Sequence, residues 1–578
     1  MKKKFFLLSI VSIFTISGCK FLDDFFGINK KEEPIEEQQN NDDQSGDQGE
    51  KDQGKDGENE YEEGKKIDFK QVGEFYGGVV ENEKYTGYEF SKSQDEIKKP
   101  TSGFGEINVF AMNDFHGAVL ETDDEAGLRK IGTFYKVKSQ QENTLILDQG
   151  DTWQGSFESN YQYGAIVQDV FNYGGVSLRT VGNHDFDWGL SHLEETTNRK
   201  IGDDYIPTLA SNVYDYSDGK NGTTQQSRYG KEYATFTLDN GIKVGVVGVI
   251  GKNQITSISS QFVSTVCFTD HIEKAMEMCD YLRSKKACDV VIVSSHESTG
   301  DICYLGLDNL SPVTNHRYAD LVLGGHAHYR QEQTIGGVKY VQWDGYGEST
   351  GSVKLKYDFS KNELVDSETQ VKTYNPSNYS THYSQIDPTI EKMINDYLEI
   401  SNPISAQVLS ENFSYFDTRS FSYLMCEAIN DAVTSAGYTV DFSVCNYARK
   451  YFAGSTITYG DLYKSFPFDN QVILMDVSGY NAYNSLYSNM TYRANIDKAA
   501  SAYGTFKIAV IDYIGLHQNT NREYDYFPNA TNSMVFNPDP NNEPPTYREI
   551  LKDYILKDPT RVFDSSVYTS NNPHFALD

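Results

Sequence analysis

The stretch Ile-Asn-Val-Phe-Ala-Met-Asn-Asp-Phe-His-Gly, residues Ile107 to Gly117, decides how the chain is read. Its first half is a short apolar run, and its second half gathers amide, carboxylate and imidazole groups before a glycine. The same grammar returns at four more places. Leu145-Ile146-Leu147 leads to Asp148-Gln149-Gly150-Asp151, and Thr180-Val181 to Gly182-Asn183-His184-Asp185-Phe186-Asp187. Val290 to Val293 leads to Ser294-Ser295-His296, and Leu321-Val322-Leu323 to Gly324-Gly325-His326-Ala327-His328. Apolar, often β-branched runs bounded by Gly and Asp predict strands buried on both faces. His271 to Lys285, lying between two of them, carries helical spacing. Alternating strand and helix implies a layered α/β architecture with the polar loops gathered at one edge of the sheets, where rigid strands can position chemistry.

The polar clusters share one chemistry. They hold D-x-H at Asp114 and His116, G-D at Gly150 and Asp151, G-N-H-D at Gly182 to Asp185, the single His296, and G-H-x-H at His326 and His328. Imidazole and carboxylate groups without thiols suit zinc, manganese, iron or similar divalent ions. Seven or eight such groups exceed the needs of one ion and fit two ions sharing a bridging carboxylate. Each motif alone is commonplace, since G-D is an ordinary turn and a lone His is more often structural. Together, at the ends of five predicted strands, they use five of the eleven histidines. His192, His271, His316, His382, His517 and His574 are read as structural.

In this order the blocks resemble the calcineurin-like metallophosphoesterase superfamily, and within it the bacterial 5′-nucleotidase family, which includes UDP-sugar hydrolases and 2′,3′-cyclic phosphodiesterases. "NDFHG" is similar to the family's T-N-D-x-H-G, "GNHDFDWG" to G-N-H-E-F-D-x-G, and "GGHAH" to G-G-H-[ST]-[HQ]. The resemblance implies a four-layer α/β (α+β) sandwich, a linker helix and a smaller α+β C-terminal domain. It implies one divalent ion on Asp114, His116, Asp151 and His328, and a second on Asp151, Asn183, His296 and His326, with Asp151 bridging. It also implies a catalytic His184 oriented by Asp187. Asp185 stands where the family more often has Glu, a change expected to matter little.

The second domain, which the resemblance makes the seat of substrate recognition, matches more loosely. "GSTITYGDLYKSFPFDN", Gly454 to Asn470, resembles the family's G-x-I-[ST]-x-x-D-x-x-x-x-x-P-F-x-N block and puts Phe468 at one aromatic wall of a nucleoside pocket, with a core aromatic as the alternative reading. "CNYARKYFAG" replaces N-x-G-G-I-R: Arg449 keeps the place of a phosphate-binding Arg, but the glycines are gone. Arg419 lies near another expected Arg. In "IDYIGLHQNTN", Tyr513 can stack where the family has Phe, and Asn519 replaces an Asp.

The ends and the composition set the location. Lys2 to Lys4 precede the apolar run Phe5 to Ile16, which Ser17-Gly18-Cys19 closes. This is the pattern of an export signal, too short to span a membrane as a helix. "TISGC" resembles the lipobox of bacterial lipoproteins, which implies acylation of Cys19 and a membrane anchor made of lipid. Lys30 to Lys66 offers only Ile35 and Tyr61 as sizeable apolar residues, so it is expected to be a disordered tether. The expected divisions are a signal peptide at 1–19, tether at 20–66, unassigned linker at 67–104, catalytic domain at 105–375, linker helix at 387–402 and specificity domain at 403–578. The linker helix follows from the i, i+3, i+4 spacing of Ile390, Met393, Ile394, Tyr397 and Leu398.

With 83 acidic against 51 basic residues among 578, the formal net charge is −32. Such a surface repels nucleic-acid polymers and anionic lipid, so an anionic substrate needs a local positive charge, which a metal cluster supplies. The seven cysteines form no C-x-x-C pair, and apart from Cys19 they read as small buried hydrophobes. The expected function is that of an exported, lipid-anchored hydrolase of small phosphate esters, nucleotides foremost. Cyclic nucleotides and nucleotide sugars are the alternatives within the enzyme class. A surface binding protein or adhesin on a retained phosphoesterase fold is the alternative outside it.

Overall fold

The computed structural model describes residues 69–70, 75–81, 84–201, 204–216, 223–226, 229–480, 490–494, 504–516, 526–527 and 529–570. The export signal with Cys19, the tether and Asn519 lie outside the described residues.

The opening stretch forms the strand Phe104–Met112. It runs parallel to Thr144–Asp148, which is followed in parallel by Leu178–Thr180 and Thr208–Leu209. On its other side it pairs antiparallel with Thr350–Asp358, and the resulting sheet has seven strands. A second, nine-stranded sheet places Lys243–Ile250, Val290–His296, Leu321–Leu323 and Val338–Gln342 in parallel register.

Side chains alternate across a strand, so each sheet must cover two faces. Ile107, Val109 and Ala111 turn inward and pack with Val244, Val246, Ile292 and Leu323 of the other sheet. Phe110 and Met112 turn outward, onto Ile131 and Phe134 of the helix Gly127–Ser139 and Val167 and Val170 of Ala165–Gly174. The nine-stranded sheet covers its outer residues Val247, Val249, Val291 and Val293 with Ala275, Met278 and Leu282 of His271–Ser284. That helix starts where the Asp270 carboxylate accepts the N–H groups of Ile272 and Glu273. The result is a helix–sheet–sheet–helix stack.

The helix expected as a linker spans Pro388–Ser405, capped by Asp387, with proline in its first turn. It packs as part of the outer helical layer. Ile390, Ile394 and Leu398 form an i, i+4 stripe buried beside Val170 and Phe134, each stabilising that layer by about 1.5–3 kcal/mol. The segment expected as an unassigned linker, 67–104, adds strands at the edge of the nine-stranded sheet: Tyr76–Glu81 pairs antiparallel with Thr86–Ser91, which lies parallel to Tyr233–Thr237. Gly87 interrupts its apolar pattern because a β-carbon there would come within 2.3 Å of the Tyr233 ring.

Residues from Leu409 to Phe563 build a separate core. A five-stranded sheet in the order Met490–Ala494, Phe442–Asn446, Thr505–Ile511, Val472–Ser478 and Thr531–Val535 is packed by the helix Thr418–Ser435, against which Tyr547–Leu556 packs in turn. The six described cysteines are all buried. No helix among the described residues is long and apolar enough to cross a membrane.

Candidate metal centre and adjoining pocket

Parallel strands deliver their C-terminal ends to a common edge, and here both sheets deliver to the same place. The loop after Met112 is laced to the loop after Asp148: Asp114 N–H donates to Gly150 O at 3.0 Å, and His116 N–H to Asp151 O at 2.9 Å. Across the sheets, the hydroxyls of Thr180 and Ser294 lie 2.7 Å apart. Two clusters result, Asp114, His116, Asp151 and His328 in one, and Asp151, His296 and His326 in the other. Within each, the ligand atoms lie within 4.8 Å of one another. Asn183 joins the second through its side-chain oxygen, 3.0 Å from both His296 Nε2 and His326 Nδ1. Seven residues from five sequence blocks therefore share one site, with Asp151 common to both halves.

The donor set fits cations. His116 Nδ1–H donates to Gln154 O at 2.8 Å and His296 Nδ1–H to Gln149 O at 2.7 Å, which turns each Nε2 toward the centre. His116 Nε2 then faces His328 Nε2 at 3.1 Å. The Asp151 Oδ2 atom is buried and makes no hydrogen bond, although His296 Nε2 lies 3.2 Å and His116 Nε2 3.7 Å away. An orphaned carboxylate oxygen among imidazoles is costly unless a cation meets it.

The electrostatics agree. Burial would raise Asp151, but the imidazoles of His296, His184 and His116 hold it well below the usual carboxylate range. Burial pushes His116 down to about 3, so it is neutral and able to ligate. Burial also opposes charging of His296, but the carboxylates of Asp151 and Asp114 lift it to about 10, so its Nε2 holds a proton that a cation bound there would displace.

Backbone strain is concentrated at the same place. Asp114, His116, Asp151, His326 and His328 have φ of 52°, 48°, 54°, 70° and 59°, the left-handed region that costs non-glycine residues about 1–3 kcal/mol each. Gly182 is required by crowding: a β-carbon there would sit 2.2 Å from Asp151 Oδ1 and 2.3 Å from its nitrogen. Gly182→Ala is expected to destabilise the fold by about 1–3 kcal/mol and to reduce metal retention. Denaturant unfolding and metal analysis check this, and wild-type values in both would contradict the close approach.

His184 stands between this centre and a pocket. Its Nδ1–H donates to Asp187 Oδ2 at 2.7 Å, and its N–H to Asp151 Oδ1 at 2.7 Å. Burial lowers its pKa, but the charges of Asp187 and Asp151 outweigh that and leave it raised. On one side its ring meets His116 edge to face at 5.4 Å, and it also stacks on Phe468 at 5.3 Å. The pocket is lined by His184, Asp187, Arg449, Phe468 and Tyr513 among others. The Arg449 guanidinium lies 4.9 Å from the Phe468 ring centre. Three of the expected substrate residues thus meet at His184. Arg419 does not line this pocket: it is exposed at the start of Thr418–Ser435, 6.0 Å from the Tyr423 ring. Asn519 lies outside the described residues.

Sequence reading missed Gln154 and Tyr346 altogether and saw Asp185 without its bracing role. Asp185 is buried and accepts from Gly182 N–H at 2.8 Å and Thr152 N–H at 3.1 Å, joining two ligand loops. Gln154 offers its carbonyl to His116 and donates its side-chain N–H to Pro467 O of the second domain at 3.2 Å, where Asn160 donates as well. Tyr346, at φ 55°, stacks on His116 at 5.0 Å, stands edge-on to His328 at 5.2 Å and donates its N–H to Asp114 O at 2.6 Å. The run Val338–Gln342 ending in Asp344-Gly345-Tyr346-Gly347 repeats the opening grammar and could have revealed Tyr346.

Residues 107–330 match the family model described as calcineurin-like phosphoesterase. Protein UshA of Yersinia enterocolitica is 22% identical over 522 residues, covering 78% of this chain and 91% of that protein. Endonuclease YhcR of Bacillus subtilis is 23% identical over 408 residues, covering 64% of this chain. The chain spans only 32% of that endonuclease's own length. Among solved structures, the 5′-nucleotidase precursor from Thermus thermophilus superposes with a TM-score of 0.61 at 17% identity, covering 78% of this chain and 96% of that one. That likeness concerns the fold.

Proposed function

Starting from a chain whose residues 107–330 match the calcineurin-like phosphoesterase family model, we propose that it hydrolyses small phosphate esters outside the cell, nucleotides foremost, with two divalent ions such as zinc, manganese or iron. The observation that carries this reading is the sharing of Asp151 by two ligand clusters directly beside the His184–Asp187 pair. Asp114, His116, Asp151 and His328 would hold one ion, and Asp151, Asn183, His296 and His326 the other. When bound, such ions polarise a phosphoryl oxygen and supply a nucleophile at neutral pH.

The chain's own groups account for the rest. Asp187 accepts the His184 Nδ1–H and orients the ring, and its charge favours the protonated imidazole. His184 can then stabilise negative charge developing on the phosphoryl group or hand its proton to the departing oxygen. Arg449 brings a permanent positive charge to the pocket of a strongly acidic protein. Tyr513 offers a ring face to a base, and Phe468 closes over His184 and limits its exposure to water. Export and anchoring through Cys19 would place this activity at the outer side of a membrane, supported by the basic and apolar N-terminal pattern ending in "TISGC".

The test is release of inorganic phosphate from nucleoside 5′-monophosphates by purified protein supplied with manganese or zinc, and its loss on chelation. Release from nucleotides, abolished by chelator and restored by metal, is expected. Turnover confined to 2′,3′-cyclic nucleotides or nucleotide sugars would redirect the substrate. Absence of turnover on these and on aryl phosphates would overturn the hydrolase reading.

A further inference from the structure

One wall of the pocket comes from the first domain. Ser257, Ser259 and Phe262, on the short turns Lys252–Ser257 and Ser260–Phe262 after the strand Lys243–Ile250, line it and belong to no motif of the metal centre.

Three observations give this wall a task. It is pinned to the second domain: Ser260 Oγ donates to Leu516 O at 2.7 Å, and Gln261 Nε2 donates to Asp512 Oδ2 at 3.1 Å. Asp512 also accepts the N–H groups of Tyr513 at 2.6 Å and Gln471 at 3.1 Å, so one carboxylate joins the Phe262 turn to the residue carrying the Tyr513 ring. Next, Ser259 is 5% exposed, yet its hydroxyl has no hydrogen-bond partner among the described residues. A buried hydroxyl left unsatisfied is rare, and beside a pocket it points to a ligand. Finally, the Phe468 ring is already engaged by His184 and Arg449. The other aromatic side chains lining the pocket are Trp188, Phe262 and Tyr513.

We propose that the Ser257–Phe262 segment of the phosphoesterase domain reads the leaving group: Phe262, with Tyr513, contacts a planar heteroaromatic ring of nucleobase type, and the Ser259 hydroxyl bonds its polar edge. This deepens the proposed function and rests on it. Selectivity then belongs to both domains, and the Asp512 carboxylate sets the register between their contributions.

The experiment compares kcat/KM for a nucleoside 5′-monophosphate with kcat/KM for glycerol phosphate, which has no ring, in wild type, Ser259→Ala, Phe262→Ala and Phe262→Leu. The nucleotide-to-glycerol-phosphate ratio is expected to fall about threefold to tenfold for Ser259→Ala. For Phe262→Ala it is expected to fall about tenfold or more. Phe262→Leu keeps apolar bulk and the fold but loses the ring, so it should follow Phe262→Ala. Ratios within twofold of wild type in all three variants would overturn the inference while leaving the hydrolase reading intact. A wild-type protein that releases phosphate from neither substrate would overturn both.

Discussion

Replacing His184 with alanine is expected to lower kcat on a phosphate ester by at least about a hundredfold while metal content stays at the wild-type level, the range found when a positioned acid or charge-stabilising donor is removed. His184 is absent from both ligand clusters, and its side-chain hydrogen bond goes to Asp187. Its backbone N–H, which donates to Asp151 Oδ1, survives the substitution. The centre should therefore keep its geometry. Substrate affinity should change less than turnover, because a group that acts on developing charge contributes mainly in the transition state. Steady-state kinetics beside elemental analysis check this. Equal turnover in variant and wild type would favour a surface binding protein that keeps the fold without its chemistry.

Asp151→Asn is expected to act by a different route, reducing bound metal from two ions per chain to one or none and lowering activity by more than about a hundredfold. The substitution keeps size and an oxygen that can accept the His184 N–H, so the loop need not collapse. It removes the negative charge on Oδ2, the atom that makes no hydrogen bond and lies near the imidazoles of both clusters. Metal analysis after gel filtration, with thermal unfolding as a folding control, measures the effect. Retention of two ions at near wild-type activity would show that the clusters do not depend on a shared carboxylate.

The candidate metal centre was legible because its residues are local in sequence. Each follows an apolar run directly, and a strand end restricts what can stand there. D-x-H at Asp114 and His116 and G-H-x-H at His326 and His328 are short enough for spacing to show that both groups reach one side of a loop. Asp185 was visible as a residue but not as a brace, since its work is to accept N–H groups from its own loop and from Thr152 of another. Ser259 and Phe262 carried no signal, because they matter only through a turn whose Gln261 is pinned to Asp512, 251 residues away in the chain. Arg419, assigned to the substrate by its proximity to a family position, stands exposed at the start of its helix and outside this pocket.

What the amino-acid order determined by itself is the set of groups and their strand-end placement: apolar runs alternate with ligand-bearing loops, and parallel pairing then sends every loop to one edge. Tertiary structure alone decided how the second domain closes on that edge, which aromatic faces Phe468 keeps for His184 and Arg449, and which buried hydroxyl is left for a ligand. The physical reason is the range of the interactions. Hydrophobic period and turn chemistry act over a few residues and are written in consecutive letters. The contacts that shape a pocket join distant segments, and their cost or benefit exists only once packing has brought those segments together.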